Sequence, residues 1–378
     1  MKTENKISLF DRAYKNIVEK RNRILSGKIN CIPLGFPRFE NELPGIEQGK
    51  NYLITANSKV GKSQITDWIF LYNTIQQVID KGLDIRLKIF YFTLEMTAEQ
   101  KMLSAFSNIL YVKEGLRISP KDLRSTKVDN VLSQEILDII NKYEPYFKKI
   151  EEVVEFIDDI RTGYGIYITV RDYALANGTI HKRKIETQPG VFIEVEDYYE
   201  ANDPEEYVMV IIDHCSLISP AKNYETGLPM TLHESIGKLS SDHLIKLRNR
   251  FKYICVVVQQ QMAGQESVEN KKYNKLKPSL DGLADNKTTQ RDFDYILGLF
   301  SPFRHEISEY MNYDITQFKD QIRFLEILGG REGGGGTVCP LYFDGATNYF
   351  RELPLPSDKE AINKVYEFIK NIKNNEKY

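Results

Sequence analysis

Ala56-Asn57-Ser58-Lys59-Val60-Gly61-Lys62-Ser63 is the stretch on which the reading of this chain turns. A short apolar run, Tyr52-Leu53-Ile54-Thr55, precedes it, and a segment able to form a helix, residues 64–74, follows. Strand, tight loop ending Gly-Lys-Ser, then helix is the layout of a phosphate-binding loop. In such a loop backbone N–H groups cradle phosphates, the lysine reaches the β- and γ-phosphates, and the serine hydroxyl ligates Mg²⁺. The helix N-terminus adds a partial positive charge. The expected nucleotide contacts are Asn57, Ser58, Lys59, Val60, Gly61, Lys62, Ser63 and Gln64, with ATP and Mg²⁺ as cofactors. One departure stands out: Ala56 occupies the place of the usual first glycine.

Outward from the loop, strands and helices alternate, which predicts an α/β fold with a mainly parallel central sheet flanked by helices. Short apolar runs at 52–55, 89–93, 207–212, 253–259 and 295–299 read as central strands buried on both faces. Helices are expected at 98–111 and 235–251, and the segment 133–161 reads as helical. Residues 180–187 and 191–196, joined by Gln188-Pro189-Gly190, read as a hairpin. Before the sheet, Ile7, Phe10, Tyr14, Ile17, Val18 and Ile24 recur at helical spacing, predicting an amphipathic helix over 7–25 ended by Gly27. Its apolar face packs either on its own domain or on a neighbouring subunit.

A nucleotide hydrolase of this type also needs an acid to orient the metal and a carboxylate to polarise water. Val208-Met209-Val210-Ile211-Ile212-Asp213 offers the first, so the metal set is Ser63 and Asp213. Phe90-Tyr91-Phe92-Thr93-Leu94-Glu95 offers the second, and βαβ geometry is expected to return Glu95 beside the phosphate loop.

Composition narrows the classes. The chain has 378 residues, 51 basic and 53 acidic, with a net charge of −2, so it is not a globally basic nucleic-acid binder. Cys31, Cys215, Cys255 and Cys339 are scattered, without metal-ligand spacing or a disulfide framework. No apolar run approaches the roughly 18 residues of a membrane span, and the N-terminus lacks a signal-peptide core, so no membrane partner and a cytoplasmic location are expected.

Tyr91-Phe92-Thr93-Leu94-Glu95-Met96-Thr97-Ala98-Glu99-Gln100, Ile211-Ile212-Asp213-His214 and the phosphate loop beginning with alanine resemble the RecA-like motor domain of DnaB-type replicative helicases. In that family an initial alanine is common. The stretch from Cys31 to Phe39 resembles the entry to the motor, and Val256-Val257-Val258-Gln259-Gln260-Gln261 its glutamine motif, which makes Gln260 the residue coupling nucleotide state to DNA contact. Residues 278–296 are similar to the stretch before the next strand. Gly329-Gly330-Arg331-Glu332-Gly333 and Gly336-Thr337-Val338 look like the hairpin carrying an arginine finger. The resemblance covers about residues 32–350 and implies a RecA-like P-loop NTPase. Its catalytic set is Glu95, Arg331 and Gln260, with Arg331 acting in trans. The family often has a lysine two residues before this arginine; here Gly329 stands there.

The resemblance further implies a ring-forming homohexamer that moves 5′–3′ on single-stranded DNA and unwinds duplex. Its DNA contacts would lie in the loops after Asp213 and Gln260. The second loop holds Lys271, Lys272, Lys275 and Lys277, with Tyr273 among them. A primase or helicase loader is an expected partner. The domain scheme is a linker helix over 1–30, a motor over 31–355 with a variable interlude at 115–203, and a helical tail over 356–378. About thirty residues precede the motor, room for a linker helix but not for the family's collar. This fits a phage-encoded chain in the host cytoplasm, or one whose collar functions reside elsewhere. One rival shares the fold, a recombination mediator that forms filaments; another, from a different class, is a regulatory or scaffold ATPase that does not translocate or unwind; a third is a terminase-like packaging motor, against which the Leu94-Glu95-Met96 element counts.

Overall fold

All six residues of the strand Asn51–Ala56 are buried, so neither of its faces meets water. Such a strand belongs in the middle of a sheet covered on both sides. The computed structural model describes residues 8–375 except 127, 129, 130, 223–226, 274 and 332. In chain order its strands are β1 Asn51–Ala56, β2 Arg86–Thr93, β3 Val154–Ile157, β4 Gly178–Gln188, β5 Val191–Ala201, β6 Glu206–Asp213, β7 Ile254–Gln260, β8 Tyr295–Phe300, β9 Glu309–Tyr310, β10 Tyr313–Asp314, β11 Ile322–Gly330, β12 Val338–Asp344 and β13 Tyr349–Glu352. Nine form one sheet in the order β13-β12-β11-β8-β1-β7-β6-β2-β3. The six from β8 to β3 run parallel, and β11, β12 and β13 add an antiparallel flank.

Period-2 alternation sorts the strand side chains onto two faces. Tyr52, Ile54, Ile89, Tyr91, Met209, Ile211 and Val256 join one apolar cluster, while Leu53, Phe90, Phe92, Val208, Val210 and Val257 join the other. Helices cover each face. The helix of residues 62–79 follows β1 and widens by a π turn over Trp68–Asn73. Ala98–Glu114 follows β2, started by a capping box between Thr97 and Gln100 and stopped by left-handed Gly115. Residues 232–251, with a second π turn, lead into β7. Because the core strands are parallel, Ala56, Thr93, Asp213 and Gln260 all stand at one end of the sheet.

Two expectations need correction. The segment 133–161 is not helical throughout: after Gln134–Lys142 and Glu144–Val153 the chain enters β3, which pairs with β2. Four residues are too few for periodicity to separate strand from helix. Nor does β2 lie beside β1, since β7 and β6 stand between them.

The N-terminal helix spans Leu9–Leu25, capped by Ser8, and expected residue Ile7 lies outside the described residues. Leu9, Phe10, Tyr14, Ile17, Ile24 and Leu25 are exposed along it. Its C-terminal part is clamped to the body: Arg23 donates to both oxygens of Glu205 at 2.6 and 2.8 Å, and Lys28 joins them at 3.0 Å. The C-terminal helix Lys359–Asn375 buries Ile362 and Ile369 in a third cluster with Tyr313, Phe318 and Phe324. The β4–β5 hairpin is mostly exposed, and two of its basic side chains are matched across it, His181 with Glu200 and Arg183 with Asp197.

Candidate nucleotide site

Between β1 and its helix the backbone must reverse in a few residues. Lys59 and Gly61 both adopt positive φ, 60° and 105°, and Gly61 is the N-cap. A Cβ at Gly61 would lie 3.3 Å from Gln64 Oε1 on top of a strained φ, so glycine is required there. No acidic residue occupies the first turn of the helix, which leaves its positive end for an anion. Lys62 is largely buried under the loop, at 9% exposure.

Ser63 Oγ donates to Asp213 Oδ1 at 2.9 Å, bringing the two expected metal residues together across β1, β7 and β6. A hydroxyl and a carboxylate at a helix N-terminus are hard oxygen donors, the kind Mg²⁺ prefers, so the residues present fit that ion. Among the described residues no cluster of three acidic, His or Cys side chains forms a preformed metal cage. Mg²⁺ held by one or two protein oxygens plus nucleotide phosphates needs none.

Asp213 is buried, and burial pushes its carboxyl up. Lys101 and the Ser63 hydroxyl outweigh that and hold it below the ordinary carboxylate range. Lys101 is 1% exposed, and its Nζ lies 3.1 Å from Asp213 Oδ2, 3.1 Å from both oxygens of Asp67 and 2.7 Å from the Tyr91 hydroxyl. Burial lowers its pKa, but the two carboxylates more than reverse this and keep it charged. Sequence reading missed this group, because a lysine inside a helix carries no sign that it faces inward.

Glu95 is exposed just past β2, on the sheet end shared with Asp213, and Leu94 N donates to Asp213 O at 2.8 Å. His214 Nε2 lies 3.9 Å from Glu95 Oε2. Burial, then the nearby Lys62 charge, lowers the His214 pKa, so its ring is neutral at pH 7.

The three glutamines at the end of β7, Gln259 to Gln261, divide their tasks. Gln259 and Gln261 are buried and tie the strand to residues 279–289. Gln260 is only partly buried and sits in register with Ala56, at the root of the phosphate loop. Gln64 is partly committed elsewhere: its Nε2 donates to Gly345 O and Asn348 Oδ1, while its Oε1 stays beside Gly61. Arg323 is only 2% exposed, a burial that its place in the sequence does not signal. Its Nε donates to Val60 O at 2.7 Å, bolting the antiparallel flank to the phosphate loop.

Arg331 is not brought to Lys62 within one chain. Gly330 pairs with Tyr295 at the start of β8, whereas Ala56 pairs with Leu299 near its end. The guanidinium donates to Arg291 O at 2.7 Å and lies 3.5 Å from Asp294, half-exposed at the far end of the sheet. Glu332 beside it lies outside the described residues. Of the four loop lysines, Lys271 pairs with Glu306 at 2.9 Å and Lys277 with Glu326 at 3.0 Å. Lys272 and Lys275 are exposed and form no ion pair among the described residues. The loop touches the phosphate loop through Asn57 Nδ2, which donates to Leu276 O at 3.4 Å. The loop after Asp213 is described only in part, since 223–226 lie outside the described residues.

A nine-stranded, mostly parallel sheet with a phosphate loop after β1 and an acid at the end of β6 is the fold of a RecA-like P-loop ATPase domain. Within that class the likeness is to DnaB-type replicative helicases. One solved ATPase domain superposes with a TM-score of 0.64 over 93% of this chain and 100% of that one, at 16% identity. A DnaB-like replicative helicase, solved in a study of its interactions with primase, gives 0.63 over 93% of this chain and 69% of that one, also at 16% identity. In sequence, the replicative DNA helicase DnaB of Helicobacter pylori is 28% identical over 117 residues, 30% of this chain and 21% of the relative. The chain thus matches about a fifth of that relative's length. No family model matches. No helix among the described residues is long and apolar enough to cross a membrane.

Proposed function

We propose that this chain is an ATP-dependent DNA helicase motor that moves on single-stranded DNA and unwinds duplex as a homohexamer. The observation that carries the reading is the Ser63–Asp213 hydrogen bond at the head of a RecA-like sheet, with Gln260 in register with Ala56. Lys62 and the loop amides hold the nucleotide phosphates, while Ser63 and Asp213 hold Mg²⁺, which offsets phosphate charge when bound. Glu95 orients a water and takes its proton. Arg331 serves a neighbouring copy, a role supported by its distance from its own phosphate loop. The exposed apolar residues of the N-terminal helix supply a surface for that neighbour. Gln260 and the lysine loop relay nucleotide state to DNA, with travel 5′–3′ and a primase or loader as further partner.

ATP hydrolysis with and without single-stranded DNA, across a salt series, tests this. Stimulation that fades as salt rises is expected, because phosphate contacts release counterions. Lys62→Ala should remove hydrolysis, losing about 10²-fold or more as when a preorganised electrostatic contact is deleted. Hydrolysis indifferent to DNA would instead favour a regulatory ATPase, a reading to which the ion-paired Lys271 and Lys277 lend some support.

A further inference from the structure

We infer that Lys101 and Asp67 are positioning residues for Asp213, a buried buckle that sets which carboxylate oxygen and how much charge the metal meets. The inference rests on the nucleotide reading above. Four side chains from four elements meet in it. Asp67 lies one helical turn past Ser63, Tyr91 is on β2, Lys101 is on the helix that follows Glu95, and Asp213 ends β6. Asp67, Tyr91, Lys101 and Asp213 are each at most 2% exposed.

The geometry splits the two oxygens of Asp213. Oδ1 accepts from Ser63, while Oδ2 is taken by Lys101 at 3.1 Å and lies 3.2 Å from the Tyr91 hydroxyl. Tyr91 OH also lies 2.6 Å from Asp67 Oδ1. The carboxylate is therefore held in one rotation, with a single oxygen turned to the phosphate loop. The charges are matched as well. Lys101 alone beside Asp213 would cancel the negative charge a cation needs, and Asp67 restores it: one ammonium against two carboxylates leaves one negative charge. Removing Lys101 would leave two buried carboxylates facing each other with no cation between them.

A buried ion pair can also exist for folding alone, and replacing both partners by apolar groups is then often neutral or stabilising. The double variant Lys101→Met/Asp67→Leu separates the roles. Thermal melting reports the fold, and Mn²⁺ binding in the presence of a non-hydrolysable ATP analogue, followed by electron paramagnetic resonance, reports the metal site without turnover. Lys101→Met alone should melt lower and the double variant should recover. If the buckle positions Asp213, the double variant still needs 10–100-fold more Mn²⁺ for half-saturation, the usual loss when an outer partner of a metal ligand is removed. Recovery of both melting and Mn²⁺ affinity would overturn the inference. Should the double variant fail to fold, Lys101→Gln/Asp67→Asn keeps size and hydrogen bonding without charge, and the same two outcomes decide. Wild-type protein that binds no Mn²⁺ with nucleotide would remove the nucleotide reading, and this inference with it.

Discussion

Arg323→Met attacks the phosphate loop from behind, through the Val60 carbonyl, without altering any of the residues expected to meet nucleotide. The guanidinium makes four hydrogen bonds, to Val60 O at 2.7 Å, Asp320 O at 2.7 Å, Ile322 O at 2.8 Å and Asp320 Oδ1 at 2.9 Å. It also lies 4.4 Å from the centre of the Phe343 ring. Asp320 is well exposed, so its ion pair adds little. The carbonyls matter more, since each buried acceptor left without its donor costs about 1–3 kcal/mol. With two carbonyls poorly replaced by water, the loss is about 3 kcal/mol, a large share of the roughly 5–15 kcal/mol that holds a domain together. Arg323→Lys, which keeps the charge but not the planar fork, should lose about half as much. Urea denaturation reads the stability term. Titration with a fluorescent ATP analogue reads the loop, and freeing Val60 should weaken binding about tenfold, equivalent to about 1.4 kcal/mol. A loss below about 1 kcal/mol on this scale, with unchanged nucleotide affinity, would show that Arg323 merely fills space over Phe343.

Three further outcomes are expected. Arg331→Ala should lower turnover by about 10³–10⁵ while still binding nucleotide; mixing it with Glu95→Ala should restore part of the activity through mixed interfaces, and no restoration at any mixing ratio would count against a finger in trans. Lys272→Ala/Lys275→Ala should reduce the salt slope of single-strand binding by about 0.7 per lost phosphate contact, whereas Lys271→Ala/Lys277→Ala, which breaks existing ion pairs, should reduce it less; equal slopes in both variants would refute the assignment. Burial pushes the Cys215 thiol up to about 12 and raises Cys255 and Cys339 too, so at pH 8 only about 10⁻⁴ of Cys215 is thiolate. In folded protein a thiol reagent should modify Cys31 alone, and slowly, with all four reacting after denaturation; fast labelling of a second cysteine in folded protein would show that burial does not protect it.

How much of this was legible in the sequence follows from where each signal resides. The five expected core strands are present because both faces are buried and their apolar runs are unbroken, a signal carried by consecutive residues. Gly61 and Ser63 could be placed because a phosphate loop fixes spacing within one short segment. Strand β3 was not legible, since four residues after an amphipathic helix carry no period of their own. The strand order was not either: that β7 and β6 come between β1 and β2 is a tertiary fact with no local trace. The burial of Lys101, Asp67 and Arg323 escapes notice for one reason. Each is a charged residue buried in part by a partner more than thirty positions away, and a charged residue in sequence reads as surface. Of the three glutamines, only the structure shows that two serve the fold and one is left over.

The N-terminal helix is held by its later turns and the residues just after it, where Lys20, Arg23 and Lys28 reach the body, while Leu9, Phe10, Tyr14 and Ile17 are exposed. Eleven residues separate Leu9 from Lys20, a lever of about 16 Å at 1.5 Å per residue. A swing of about 20° at the clamp carries the tip about 6 Å on that length. A grip on the proposed neighbouring copy made through Leu9 and Phe10 would therefore tolerate unequal spacing between the two, without repacking of the sheet. In the proposed hexamer, slack of this kind would let one molecule advance while its neighbours stay put.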